Sequence, residues 1–111
     1  MPIYISRGRF PSDAVKGMLA KPENREESVA KLFNSVGGRL VGWYLTFGHH
    51  DWMAIGEFPD EKAAASAILA AAAGGSLSDI ETTVAMTAKE AHATFEAASK
   101  AAKDFRSAGR S

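Results

Sequence analysis

The hydrophobic pattern changes period several times along the chain. Residues 3–7, IYISR, alternate, with Ile3 and Ile5 on one side and Tyr4 and Ser6 on the other, the two-residue period of a strand. Pro11-Ser12-Asp13 then marks a helix start, and Val15, Met18 and Leu19 share its apolar face. Pro22 breaks this helix, because proline lacks an N–H and crowds the preceding turn. A second helical piece begins about Glu23, with Val29, Leu32, Phe33 and Val36 spaced i, i+3, i+4 and i+7, and Gly37-Gly38 ends it. Residues 39–47, RLVGWYLTF, read as a strand with Val41, Trp43, Leu45 and Phe47 on one face and Leu40, Gly42, Tyr44 and Thr46 on the other. Gly48-His49-His50-Asp51 turns the chain into a return strand over 52–58. Asp60 caps an alanine-rich helix over 61–73, whose small side chains allow close approach to a sheet, and Gly74-Gly75 ends it. Ile80 to Met86 forms a fourth strand. Thr87-x-x-Glu90 has the form of a capping box and opens a last helix reaching about Phe105. Along that helix Ala91, Phe95, Ala98, Ala102 and Phe105 draw one narrow apolar stripe, and Ser107 to Ser111 are expected to fray.

The order β-α-β-β-α-β plus a final helix predicts an α+β, ferredoxin-like fold: a four-stranded antiparallel sheet, strand order 4-1-3-2, with helices on one face. At 111 residues one domain is expected, with 1–88 as its body and 89–111 as the C-terminal helix and tail of the same domain. The uncovered sheet face of such a fold should be polar. Here it is not. Met53 and Ile55 fall on one side of the return strand, and Trp52, Ala54 and Phe58 on the other. Two apolar faces need two covers. A second copy of the sheet is the economical one, giving a homodimer (or a higher oligomer) with a barrel-like interface. The alternative cover is the last helix folded over the open face.

Composition narrows the partners. The 13 basic and 13 acidic residues cancel, and the pI is near 6.8, so no basic stripe serves a nucleic acid. The absence of cysteine excludes disulfides, thiolate catalysis and zinc–thiolate sites and accords with a cytoplasmic location. The start, MPIYISRGRF, lacks a signal peptide's apolar run. The longest apolar stretch, Ile68 to Ala73, falls far short of the ~20 residues that span a bilayer, so no membrane partner is expected.

Candidate chemistry concentrates at His49, His50 and Asp51. A histidine exchanges protons near neutral pH and a carboxylate can fix its tautomer, so His50 and Asp51 are the candidate acid–base pair. The plainer alternative is a solvated turn in which Asp51 accepts backbone N–H bonds. Tyr4, Trp43, Tyr44, His49 and Trp52 are candidates for lining a small apolar or aromatic ligand, although packing explains the same aromatics. Strand parity would bring Tyr4, Tyr44 and one of the tryptophans to a common cavity. Arg7, Arg9 and Arg39, at strand ends, are suited to a ligand carboxylate. Asp51, Glu57, Glu81 and His92 are too dispersed for a metal site, and no glycine-rich phosphate loop or G-x-S-x-G elbow is present. No metal or cofactor is therefore expected.

The stretch GGRLVGWYLTFGHHDWMAIGEFPDEKAAA resembles the GYD-domain family of small bacterial proteins. The likeness rests on Gly37-Gly38, Gly42-Trp43-Tyr44, the Gly48-x-x-Asp51 turn and the Glu57-x-Pro59-Asp60 helix start. It extends upstream to Lys21-Pro22-Glu23-Asn24-Arg25 and downstream to Glu81-Thr82, about residues 2–90 in all. The family's motif is Gly, any residue, Tyr, Asp; here His50 stands at the tyrosine position. The resemblance implies a ferredoxin-like, dimeric α+β barrel and carries no established function. Three classes of function stand side by side. The first is a homodimeric small-molecule-binding barrel. The second is a cofactor-independent enzyme, monooxygenase- or isomerase-like, with His50 and Asp51 as acid–base groups and Tyr44 positioning the substrate. The third is a structural or regulatory subunit that docks through its last helix.

Overall fold

The computed structural model describes residues 1–109; Arg110 and Ser111, the end of the tail expected to fray, lie outside the described residues. The elements are β1 (Ile3–Arg9), α1 (Ser12–Ala20), α2 (Arg25–Ser35), β2 (Arg39–Leu45), β3 (Trp52–Glu57), α3 (Glu61–Ala73), β4 (Ser78–Ala85) and α4 (Ala88–Ala102). The strands form one antiparallel sheet in the order β2-β3-β1-β4, the expected order read from the other edge. This is the ferredoxin-like α+β arrangement, with its first helix split in two and a helix appended. The split comes at Pro22, as expected, but α2 starts at Arg25 because the Asn24 side chain caps it, accepting the Glu26 N–H at 2.9 Å.

The core lies between the sheet and the helices. Tyr4, Trp52, Ala54 and Phe58 are buried from the sheet side, Phe33 from α2, and Ala64 and Ala67 from α3. Phe58 is its centre: Tyr4 meets it edge-on at 5.6 Å, and the Phe33 ring lies 4.8 Å away. Two glycines make room for large rings. A Cβ on Gly56 would stand 2.6 Å from the Phe33 ring, and one on Gly8 2.5 Å from the Trp52 indole. The buried Ser6 hydroxyl is satisfied by Thr82 Oγ1 at 2.9 Å.

Strand β2 departs from simple alternation. A bulge between Leu40 and Gly42 leaves Val41 as the extra residue. Leu40 therefore joins Trp43 against the core, rather than sharing a face with Tyr44. The strand also ends at Leu45, so Phe47 stands exposed in the loop instead of on a strand face.

The opposite face of the sheet carries Ile3, Ile5 and Arg7 from β1, Met53, Ile55 and Glu57 from β3, Tyr44 from β2, and Glu81, Thr83 and Ala85 from β4. Its centre is apolar, and among the described residues no helix covers it. Helix α4 carries the capping box, with Thr87 Oγ1 accepting the Glu90 N–H and Glu90 accepting the Thr87 N–H. It does not fold back over the sheet. None of its residues is buried, and the molecule extends 64 Å along its longest axis against 31 and 22 Å across it. Phe95 of its stripe is 70% exposed, and the helix ends at Ala102, short of the expected Phe105, which lies beyond it and is 75% exposed.

Candidate functional site

Two places in the molecule have the character of a site. The first is a cavity of about 210 Å³ between α2, α3 and the helix-side face of the sheet. Trp43, Trp52, Phe10, Leu32, Leu77 and Ile80 supply most of its apolar wall. Ser6, Ser28 and Ser76 contribute hydroxyls, and Arg25 reaches it from the first turn of α2. On the α3 side Ala70 and Ala71 border the space without filling it. Trp52 is held in place at its polar edge, its Nε1–H donating to the Arg9 carbonyl at 3.4 Å.

The second place is the corner where the β2–β3 loop meets β4. His50 Nε2 lies 2.7 Å from Glu81 Oε2, and the His50 side chain is 19% exposed. The His49 ring stands edge-on to it at 5.0 Å. Arg9, Asp79 and Ile80 complete a hollow around them. Asp79 has a positive φ of 50° at the irregularity where the β1–β4 pairing shifts between Arg7 and Arg9. This local kink sets Glu81 toward the loop.

His50 and Asp51, paired in the sequence reading, take different partners. Asp51 Oδ2 accepts the Phe10 N–H at 2.8 Å, while its backbone N–H donates to the Gly8 carbonyl and its carbonyl accepts from Thr46. It ties the loop to the end of β1. The carboxylate beside His50 is Glu81, distant in sequence but delivered by β4. Of the aromatic candidates, Trp43 and Trp52 line the cavity, and His49 belongs to the corner. Tyr4 packs in the core and Tyr44, 54% exposed, lies on the opposite sheet face, so the cavity expected to join them does not form. Arg39 pairs with Glu57 at 3.0 Å, Arg7 lies opposite Glu81 on the open face, and Arg9 borders the corner; none of the three lines the cavity. Arg25 does, and the sequence reading missed it because the first residue of an amphipathic helix looks like a solvated charge. His92 pairs with Glu96 on the surface of α4 at 3.1 Å. Among the described residues no group of three His, Asp or Glu is placed to hold a metal ion, and no helix is long and apolar enough to cross a membrane.

The chain is similar in fold to TTHA0845 from Thermus thermophilus, with 13% identity over 79% of this chain and 96% of that one and a TM-score of 0.52. At3g17210 from Arabidopsis thaliana gives 15% identity over 78% and 95%, with a TM-score of 0.47. FFRP-DM1 gives 14% over 78% and 100%, with a TM-score of 0.47. No curated protein matches the chain. The model of the GYD domain matches residues 4–95, which take in the sheet except Ile3, the cavity, the His50 corner and the first half of α4. The chain belongs to the GYD-domain family.

Proposed function

We propose that this protein is a homodimeric small-molecule-binding barrel of the GYD type. The observation that carries the reading is a sheet with two apolar faces and one cover. On the helix side, the packing leaves an apolar cavity with a few polar groups at its wall, the form of a ligand pocket. On the open side, Ile3, Ile5, Met53 and Ile55 form an apolar centre flanked by Arg39–Glu57 at one end and Arg7 and Glu81 at the other. A second copy related by a two-fold axis would present the same patch, as an isologous interface requires. Four strands at ~4.8 Å spacing and about seven residues at ~3.3 Å give a face of roughly 20 by 20 Å. That is smaller than the ~800 Å² per partner of a standard interface, and the projecting α4 supplies further apolar area from each copy.

Native mass spectrometry of the purified protein tests both halves of the reading. A dimer carrying extra mass is expected. A monomer would sink the interface, and a dimer that retains nothing and takes up no apolar ligand would sink the pocket.

A second reading is favoured by the His50–Glu81 contact. In it the protein is a cofactor-independent enzyme whose acid–base group is His50, oriented by Glu81 rather than by Asp51. Its test is turnover of the retained molecule. Conversion by the wild type but not by His50→Gln would support it, and equal conversion by both would remove His50 from the chemistry.

A further inference from the structure

We infer that the cavity selects a small cyclic carboxylate and that Arg25 is the group that recognises it; the inference rests on the cavity being a ligand site. Size sets the first limit. An apolar cavity of about 150 Å³ holds benzene, so about 210 Å³ suits a body of one ring or two small ones. Shape and chemistry set the second. The walls offered by Trp43, Trp52, Phe10 and Leu32 are flat or aliphatic, and they match an apolar ring rather than a sugar or a nucleotide.

Charge sets the third. Among the described residues Arg25 is the one charged side chain lining the cavity, and no carboxylate lines it to receive a cation. Arg25 also borders the groove beneath α1, together with Phe10, Lys21 and Leu77, so it stands between the interior and the surface. Its side chain is one-third exposed. Its Nη1 already holds a carboxylate, that of Glu23 in the α1–α2 connection. A guanidinium offers five N–H groups in a planar fork that fits a carboxylate two bonds at a time. Glu23 thus occupies, from the exposed side, the position a ligand's headgroup would take from inside. An ion pair of this exposure contributes little to stability. A carboxylate whose ring is seated in the cavity can therefore share Arg25 with Glu23 or displace it. The Ser6 hydroxyl is already engaged with Thr82, and Ser28 and Ser76 offer neutral hydroxyls only, so Arg25 is the charged anchor.

The two tryptophans of the chain are Trp43 and Trp52, and both line the cavity, so their fluorescence reports its occupancy directly. The test is a titration of the full chain with cyclohexanecarboxylate and with the uncharged cyclohexanecarboxamide, followed by fluorescence and calorimetry. The carboxylate is expected to bind about tenfold more tightly, the scale of one charge-assisted contact. Arg25→Gln should erase that preference, lowering carboxylate affinity far more than carboxamide affinity. Glu23→Gln, at an exposed position that does not bear on folding, should strengthen carboxylate binding. Equal affinities in the wild type, or a preference untouched by both substitutions, would overturn the role of Arg25 and leave the cavity reading standing. Failure of both compounds to bind would overturn the cavity reading itself.

Discussion

His50 Nε2 and Glu81 Oε2 lie 2.7 Å apart and join the β2–β3 loop to the edge strand β4, while the neighbouring Asp51 turns away to the Phe10 N–H. The two adjacent residues therefore separate in a mutagenesis experiment. Asp51→Ala leaves the Phe10 N–H without its acceptor and should cost about 1–3 kcal/mol, lowering the melting temperature by several degrees. His50→Gln breaks a contact whose carboxylate is largely solvated and should cost about 1 kcal/mol or less. Thermal melts of the two variants decide the matter, and an equal loss in both would mean that the corner is held by His50 as much as by Asp51.

Gly17 and Gly56 should respond to alanine with opposite signs. Gly17 sits inside α1 with open space where a Cβ would go, so Gly17→Ala should stabilise by about 0.5–1 kcal/mol. A Cβ on Gly56 would stand 2.6 Å from the Phe33 ring, and Gly56→Ala should destabilise by about 1–3 kcal/mol through overpacking. Denaturant midpoints measure both.

The proposed interface predicts its own disruption. Ile55 is half-buried at the centre of the open face, opposite Ile5. Ile55→Asp would place a charge in the middle of the contact and should give a folded monomer by sedimentation velocity. A dimer that persists would move the interface elsewhere, with α4 the first place to look.

Helix α4 has an acid-sensitive start. The Thr87 backbone N–H, and after it the Thr87 hydroxyl, hold the Glu90 carboxyl below its ordinary value of 4.5. A carboxyl lowered on folding contributes stability above its ordinary value and loses it as pH falls through the lowered one. Protection of the amides in the first turn of α4, taken relative to the intrinsic exchange rate at each pH, should therefore fall below about pH 4.5. Glu90→Gln, which keeps an acceptor but does not titrate there, should flatten that dependence.

Much of this architecture was legible in the sequence because the signals were local. Thr87 and Glu90 are three residues apart and form the capping box they spell. Pro22 ends α1 because the missing N–H acts on its own turn. The alternation of Trp52, Met53, Ala54 and Ile55 survives intact in β3. What was not legible depends on distant partners. The bulge at Val41 is fixed by how β2 meets β3, and it moves Leu40 to the core side, which a strict two-residue period cannot foresee. Glu81 reaches His50 only because β1 places β4 beside the loop. Arg25 borders a cavity that exists only once α2 and α3 are both docked.

The central place of β1 sets the order in which the molecule can be put together. Tyr4 pairs with Gly56 on one side and Val84 on the other, both far along the chain. Of these four strands, the first to be synthesised therefore waits for the last. The β2–β3 hairpin closes locally through the Thr46–Asp51 loop, whereas seating β1 and then β4 requires long-range closure, the slow class of contact. Pulse-labelled exchange during refolding should show Tyr44 and Met53, which face each other across the hairpin, protected before Tyr4. A ribosome stalled before β4 would carry a chain whose future central strand is still an open edge, exposed to pairing with a neighbouring copy.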